Sequence, residues 1–238
     1  MTQTPQLQSV ITSENSGSQA LKLLKKDILS GYFAPGEKLK MARLKERYQA
    51  GVTPLREALS QLITEQLVEV ENQRGFRVTP IGLKEMLDIY EIRADIVGLC
   101  VRKAIERGDD IWEAGILAAA HRLKKAGDLQ SKSQQEIESW ELIHHEFHDA
   151  IVRGCASPTL LRIHQELYEK ASRYRNLWLK HNMASSTVFE ANQKEHVALV
   201  DALLARDPDR AESLLKAHYL SACQELQQTL PELLKRSQ

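Results

Sequence analysis

The sequence predicts a mainly α-helical protein in two domains: three helices and a β-hairpin over residues 16–80, then an all-helical antiparallel bundle over residues 81–238. Three observations lead there. Apolar residues recur at helical spacing through most of the chain. Strand-like stretches are confined to two short runs around a turn that ends in Gly75. Pro80-Ile81-Gly82 breaks the pattern between the two regions. A length of 238 residues suits two modest domains. With 42% apolar and 27% charged residues the chain has enough apolar side chain for a packed core, which excludes disorder beyond the ends.

Residues 1–15 are polar without a sustained period and are expected to form a mobile tail. "SGSQALKLLKKDILSG" then places Leu21, Leu24, Ile28 and Leu29 on one helical stripe, with Ser16 or Ser18 as N-cap and Gly31 as stop. Pro35-Gly36 marks a turn. A short helix follows in "KMARLKERYQ". The next is expected to have Thr53 as N-cap and Pro54 at its first position, which the fixed φ of proline favours. Leu55, Ala58, Leu59, Leu62 and Ile63 form its buried stripe, and Val68–Glu71 and Phe76–Thr79 are the two strands.

Beyond Gly82 helices are expected over 83–107, 110–126, 134–154, 159–181, 186–205 and 209–229. Asp109, Ser133, Ser157 and Asp207 are their N-caps, and Pro158 and Pro208 stand at first helical positions. Short connections between amphipathic helices imply a bundle whose interior can hold a ligand or metal.

The net charge is zero, but residues 1–80 carry 11 Lys and Arg against 8 Asp and Glu, while residues 81–238 carry 21 against 24. The sign fits an N-terminal part that meets phosphate. Three widely spaced cysteines, Cys100, Cys155 and Cys223, read as buried thiols in a reducing compartment. No apolar run approaches the ~20 residues of a membrane span, and the N-terminus has no basic-then-apolar signal pattern. A cytoplasmic protein with no membrane partner is expected.

Three helices and a hairpin in this order make a winged helix-turn-helix, in which one helix enters the major groove of DNA while neighbouring groups grip phosphate. The exposed candidates are Gly51, Thr53 and Arg56 at the head of the groove helix, Arg43 on the helix before it, and Arg74 and Gly75 at the wing. Arginine suits a two-point grip on guanine or a phosphate contact. "APGEKL", "TPLREALSQLITEQLV" and the Gly-tipped hairpin resemble the DNA-binding domain of the GntR family of bacterial transcription regulators, over residues 18–80. The resemblance implies that Thr53, Arg56 and Gly75 contact operator DNA. The family usually has Ser or Thr and then Arg where this chain has Gly51 and Val52. Losing that Arg removes a contact worth ~1–3 kcal/mol if it reads a base, which implies an operator other than the common family one.

"ELIHHEFHDAI" holds three histidines within five positions. His145-Glu146 does not complete a His-Glu-x-x-His protease motif, because the second histidine comes one position early. His144 and His148, at i and i+4, share a helix face and can share a metal. His196 and His218 border apolar faces of later helices, and by themselves read equally as core histidines. Four imidazoles suit Zn²⁺ or Ni²⁺ and not Ca²⁺ or Mg²⁺. His121, His145, His164 and His181 have polar neighbours and no evident partner.

Residues 83–229 resemble the FCD effector domain of the FadR branch of the same family. Its metal motif is Asp or Asn, then His four residues later, then one His from each of two late helices. The resemblance implies that His148, His196 and His218 are ligands, with His144 at the Asp/Asn position, either coordinating or leaving an opening for water or effector. It also implies that Arg93 faces the ligand cavity, the alternative being a surface ion pair with Glu91. Arg173 and Arg175 are further candidates for the effector, and Trp178 is expected in the core.

The expectation is a homodimeric transcription regulator, usually a repressor in this family, that binds pseudo-palindromic operator DNA and responds to a small carboxylate at the metal. "WELIHHEFHDAIV" and "RYRNLWL" are similar to regulators of carbon-starvation and glutarate-type catabolism, which implies a C4–C5 dicarboxylate or hydroxydicarboxylate. Two alternatives stand beside it. One is a sensor of the metal alone. The other is a metal-dependent hydrolase using Glu146 as general base, although Glu146 is two residues from both His144 and His148 and points away from them.

Overall fold

The computed structural model describes residues 5–71, 75–127, 133–181 and 186–236, and the chain divides between Gly82 and Leu83 into two compact units. In the first, α1 (Pro5–Leu29) buries Ala20, Leu24 and Ile28. Gly31, at φ 70°, turns the chain just past its end, a left-handed conformation that glycine adopts without steric cost. The helix starts earlier than expected, so residues 5–15 are helical and neither Ser16 nor Ser18 is its cap.

Helices α2 (Met41–Tyr48) and α3 (Val52–Thr64) form the helix-turn-helix. Gly51, not Thr53, is the N-cap of α3, in extended conformation and without a side-chain cap. Pro54 therefore lies third in the helix, still within the first turn, whose N–H groups lack intrahelical partners. Four of the five expected stripe residues, Leu55, Ala58, Leu59 and Leu62, are at most 2% exposed, and Ile63 is half-buried against them. Strands β1 (Val68–Glu71) and β2 (Gly75–Val78) pair antiparallel, Val68 opposite Val78. Residues 37–39 add to the outer edge of β2. Lys38 bridges Arg77, Leu39 N–H donates to Phe76 C=O at 2.8 Å, and Val78 N–H donates to Glu37 C=O at 2.9 Å.

The second unit consists of α4 (Leu83–Arg107), α5 (Asp110–Ala126), α6 (Gln134–Arg153), α7 (Pro158–His181), α8 (Ser186–Leu204) and α9 (Pro208–Arg236). All four expected caps are made. Asp109 accepts from Trp112 N–H at 2.9 Å, Ser133 and Glu136 form a capping box, and Ser157 and Asp207 accept from Leu160 and Arg210 N–H. Each is worth about 1 kcal/mol. Helix α9 continues through Pro231, past the expected end. Leu226 and Leu230, at 2% and 0% exposure, keep it packed where the proline would otherwise end it.

Helix α4 packs on α9, α7 and α6 and is the central element. At Gly98 an added Cβ would come within 2.5 Å of the Lys216 side-chain end, which would have to shift. The Trp112 indole N–H donates to Ile151 C=O at 3.0 Å, tying α5 to α6. Cys100, Cys155 and Cys223 are buried free thiols. Among the described residues no helix is long and apolar enough to cross a membrane.

Candidate metal and effector site

In the N-terminal unit, Thr53 and Arg56 are exposed on α3, and Gly51 is exposed at its cap. Arg56 shares a shallow cleft of about 470 Å³ with Lys38, Lys40 and Gly75. The two lysines were not singled out by sequence; the edge pairing of residues 37–39 brings them to the cleft. Arg43 is ion-paired with Glu37, and its guanidinium lies 4.7 Å from the Phe33 ring and 5.2 Å from the Tyr32 ring. Arg74 lies outside the described residues.

In the helical unit four histidines converge. His144 and His148 come from adjacent turns of α6, His196 from α8 and His218 from α9, and all four are buried. One nitrogen from each lies within 4.8 Å of the others. His144 Nε2 and His148 Nε2 are 3.2 Å apart. Two ligands at 2.0–2.1 Å from a tetrahedral zinc would be separated by about 3.3 Å.

His144 Nδ1, His148 Nδ1 and His196 Nε2 are buried without a partner among the described residues. His218 Nδ1 contacts Glu195 Oε2 at 2.7 Å, the carboxylate–histidine pairing that fixes a ring and leaves its other nitrogen for a metal. Burial first, then the crowding of the other imidazoles with Arg93 nearby, holds His144 and His148 well below the usual imidazole range, and burial followed by His218 lowers His196 to about 2. These rings are neutral at physiological pH and offer lone pairs. The site fits a divalent transition metal: every donor is nitrogen, the Nε2 atoms of His144 and His148 stand at a ligand–ligand separation, and His196 Nε2 is buried without a partner among the described residues.

Beside the cluster lies a cavity of about 310 Å³, lined by His144, His148 and His218 together with Arg93 and Arg175. Arg93 is 2% exposed, its guanidinium 4.3 Å from the Tyr219 ring, and its Nε lacks a partner among the described residues. Glu91 is exposed, so the surface-pair alternative falls. Arg175 is ion-paired with buried Glu141. Burial raises the Glu141 carboxyl above the usual carboxylate range, against the pull of Arg175.

Several expectations need correction. Arg173 is buried but does not line the cavity, and burial lowers its pKa. Trp178 packs against the core yet also lines the cavity. His164 is 1% exposed, and burial followed by Arg93 lowers it to about 4. His145 stacks on Tyr168 with centroids 3.7 Å apart and is lowered to about 3, first by burial. The side chain of His181 lies outside those described.

Sequence reasoning missed Glu195, Glu141, Tyr90, Asn192 and Tyr219. Two carried a local signal: Glu195 adjoins His196, and Glu141 precedes His144 by three positions on one helical face. Glu146 is exposed and 3.9 Å from Arg122, away from the histidines, and Asp149 pairs with Arg153.

Comparison with known proteins agrees with this architecture. Residues 17–78 match the model of the gntR family of bacterial regulatory proteins, and residues 88–221 match that of the FCD domain. The chain is 44% identical over 207 residues to the HTH-type transcriptional repressor GlaR of Escherichia coli (strain K12), covering 87% of this chain and 94% of that protein. It is 36% identical over 200 residues to the HTH-type transcriptional regulator BphR of Paraburkholderia xenovorans (strain LB400), covering 84% and 80%. The solved structure of E. coli McbR/YncC superposes with a TM-score of 0.72 at 20% identity, over 94% of this chain and 99% of that one, which shows a shared fold.

Proposed function

We propose a function from one premise: the chain belongs to the GntR family of bacterial regulatory proteins and carries an FCD domain. It is a transcription regulator and not an enzyme. On our reading it is a homodimeric repressor that holds a pseudo-palindromic operator through α3 and the wing, and releases it when a small carboxylate enters the helical unit. The repressor assignment is supported by the similarity to GlaR.

The observation that carries the effector assignment is the cavity lined by three of the four clustered histidines, buried Arg93 and half-buried Arg175. A zinc-class cation would be held by His148, His196 and His218, with His144 either coordinating or standing off to leave an opening, and there it would offer a Lewis-acid point for a carboxylate oxygen. Arg93, buried with an unsatisfied Nε, offers charge-assisted hydrogen bonds to the same or a second carboxylate. Glu195 fixes the ring of His218. Tyr90, Trp140 and Trp178 wall the space, which has ample room for an acid of four or five carbons. In the DNA-binding unit we assign Thr53, Arg56, Gly51, Arg74 and Gly75 to operator contact, with Lys38 and Lys40 beside Arg56 on phosphate. Arg43 is a weaker candidate, since Glu37 holds it.

For regulation, the acid must bind the DNA-incompetent arrangement better than the competent one, because equal affinity for both shifts nothing. The test is fluorescence anisotropy on a labelled fragment of the chain's own promoter region, with metal-loaded and metal-stripped protein and a series of carboxylates. Weakened DNA binding by one acid, with metal present only, is expected. DNA binding indifferent to every acid and to metal would overturn the assignment.

A further inference from the structure

We infer that Glu141 sets the charge selectivity of the cavity: it holds Arg175 in a one-point ion pair, so a ligand's second anionic group must compete with a carboxylate that the chain itself carries. The inference rests on the reading of the cavity as a carboxylate site.

Glu141 is 7% exposed, on the same helix as His144 and His148. A carboxylate at that depth needs a cationic partner, and Arg175 Nη2 supplies it by donating to Oε1. A full arginine–carboxylate fork would use two parallel hydrogen bonds. Here the two atoms that would complete it, Arg175 Nε and Glu141 Oε2, are both buried and without a partner among the described residues. The pair is therefore incomplete.

Arg175 lines the cavity and Glu141 does not, so the guanidinium stands between the ligand space and its own counter-charge. Arg93 also lines the cavity, and its Nε has no partner among the described residues. Tyr168 lies against both guanidiniums, 5.3 Å from Arg175 and 5.6 Å from Arg93. This end of the cavity thus presents two cations, one of them backed by a buried carboxylate behind the cavity wall. A monocarboxylate can take Arg93 and leave the Glu141 pair untouched. A dicarboxylate that spans to Arg175 meets the repulsion of Glu141 in an interior where screening is weak.

The experiment is calorimetric titration of zinc-loaded full-length protein with butyrate, succinate and glutarate, using wild type, Glu141→Gln and the double variant Glu141→Gln/Arg175→Gln. Glu141→Gln is expected to bind the dicarboxylates at least about ten-fold tighter and butyrate within about three-fold of wild type. The double variant, with no unpaired charge left buried, is expected to fold and to prefer dicarboxylates less than wild type does. A merely structural Glu141 would weaken all three acids together in Glu141→Gln, and that result overturns the inference, as does a double variant that keeps the wild-type preference.

Should Glu141→Gln fail to fold, the double variant alone decides. Should no protein bind any of the acids, the carboxylate reading fails, and inorganic phosphate becomes the probe. Phosphate stabilisation of Glu141→Gln beyond that of wild type would sustain the role of Glu141 without the carboxylate reading, and its absence would end both.

Discussion

Replacing His148 by Ala removes one of the four clustered imidazoles and leaves His144 Nε2 without its neighbour at 3.2 Å. In wild type, a metal present at ~1,000 times its Kd adds about 4.1 kcal/mol to the unit that binds it. For a chain of this size 1 kcal/mol moves the melting temperature by roughly 2–4 °C, so metal should raise it by about 8–16 °C. Because the chain has two compact units, the shift belongs to the transition of residues 83–236 alone, and differential scanning calorimetry can separate it. His148→Ala should show the N-terminal transition unchanged and nearly the whole metal-dependent shift lost, with less than one metal per chain by elemental analysis. A variant that keeps one metal per chain and the full shift would refute the four-histidine site.

Glu195→Gln keeps the shape of the group that orients His218 but removes its charge, and should weaken metal binding about 10- to 100-fold in a chelator competition. Unchanged affinity would mean that the 2.7 Å contact does not support the ligand. Acid should destabilise the metal-stripped protein: below pH ~6.5 unfolded imidazoles take up protons, whereas His164, His145 and His196 stay neutral in the fold down to about 4, 3 and 2. Stability is complete above the unfolded pKa and falls as pH drops, by about 1.4 kcal/mol per unit for each histidine, so about 4 kcal/mol per unit for the three. Chemical denaturation at pH 7.5, 6.5 and 5.5 checks this, and a flat profile would contradict their burial as neutral rings.

What the sequence made legible was what local rules control. Asp109, Ser133, Ser157 and Asp207 cap helices because a cap acts within three residues, and Pro158 and Pro208 begin helices for the same local reason. The stripe from Leu55 to Leu62 follows from periodicity alone. The misses are non-local. Helix α9 passes Pro231 because Leu226 and Leu230 find a core that lies elsewhere in the chain. Residues 37–39 extend the wing through bonds to residues some forty positions away. His164 has polar and charged sequence neighbours and is nonetheless buried, and His145 is half-buried, since adjacent helical residues face different ways.

The site divides similarly. The pair His144 and His148 was visible as an i, i+4 spacing, but only the resemblance to FCD domains joined it to His196 and His218. Glu141 and Arg175 are 34 positions apart, and no pattern announces their meeting. Arg173 and Arg175, two residues apart, looked alike in sequence; helix α7 turns only Arg175 to the cavity.

The central claim, that a metal at the four histidines serves to hold a small carboxylate, is tested most directly by melting zinc-loaded and metal-stripped protein against a panel of mono-, hydroxy- and dicarboxylates. An acid at ~100 times its Kd adds about 2.7 kcal/mol, or roughly 5–11 °C for this chain. The account predicts such a shift for one acid class in the zinc-loaded protein only. An equal shift in the stripped protein would remove the metal from effector binding. No shift from any acid, with a large one from zinc alone, would contradict the carboxylate claim and make the metal itself the signal or a structural part.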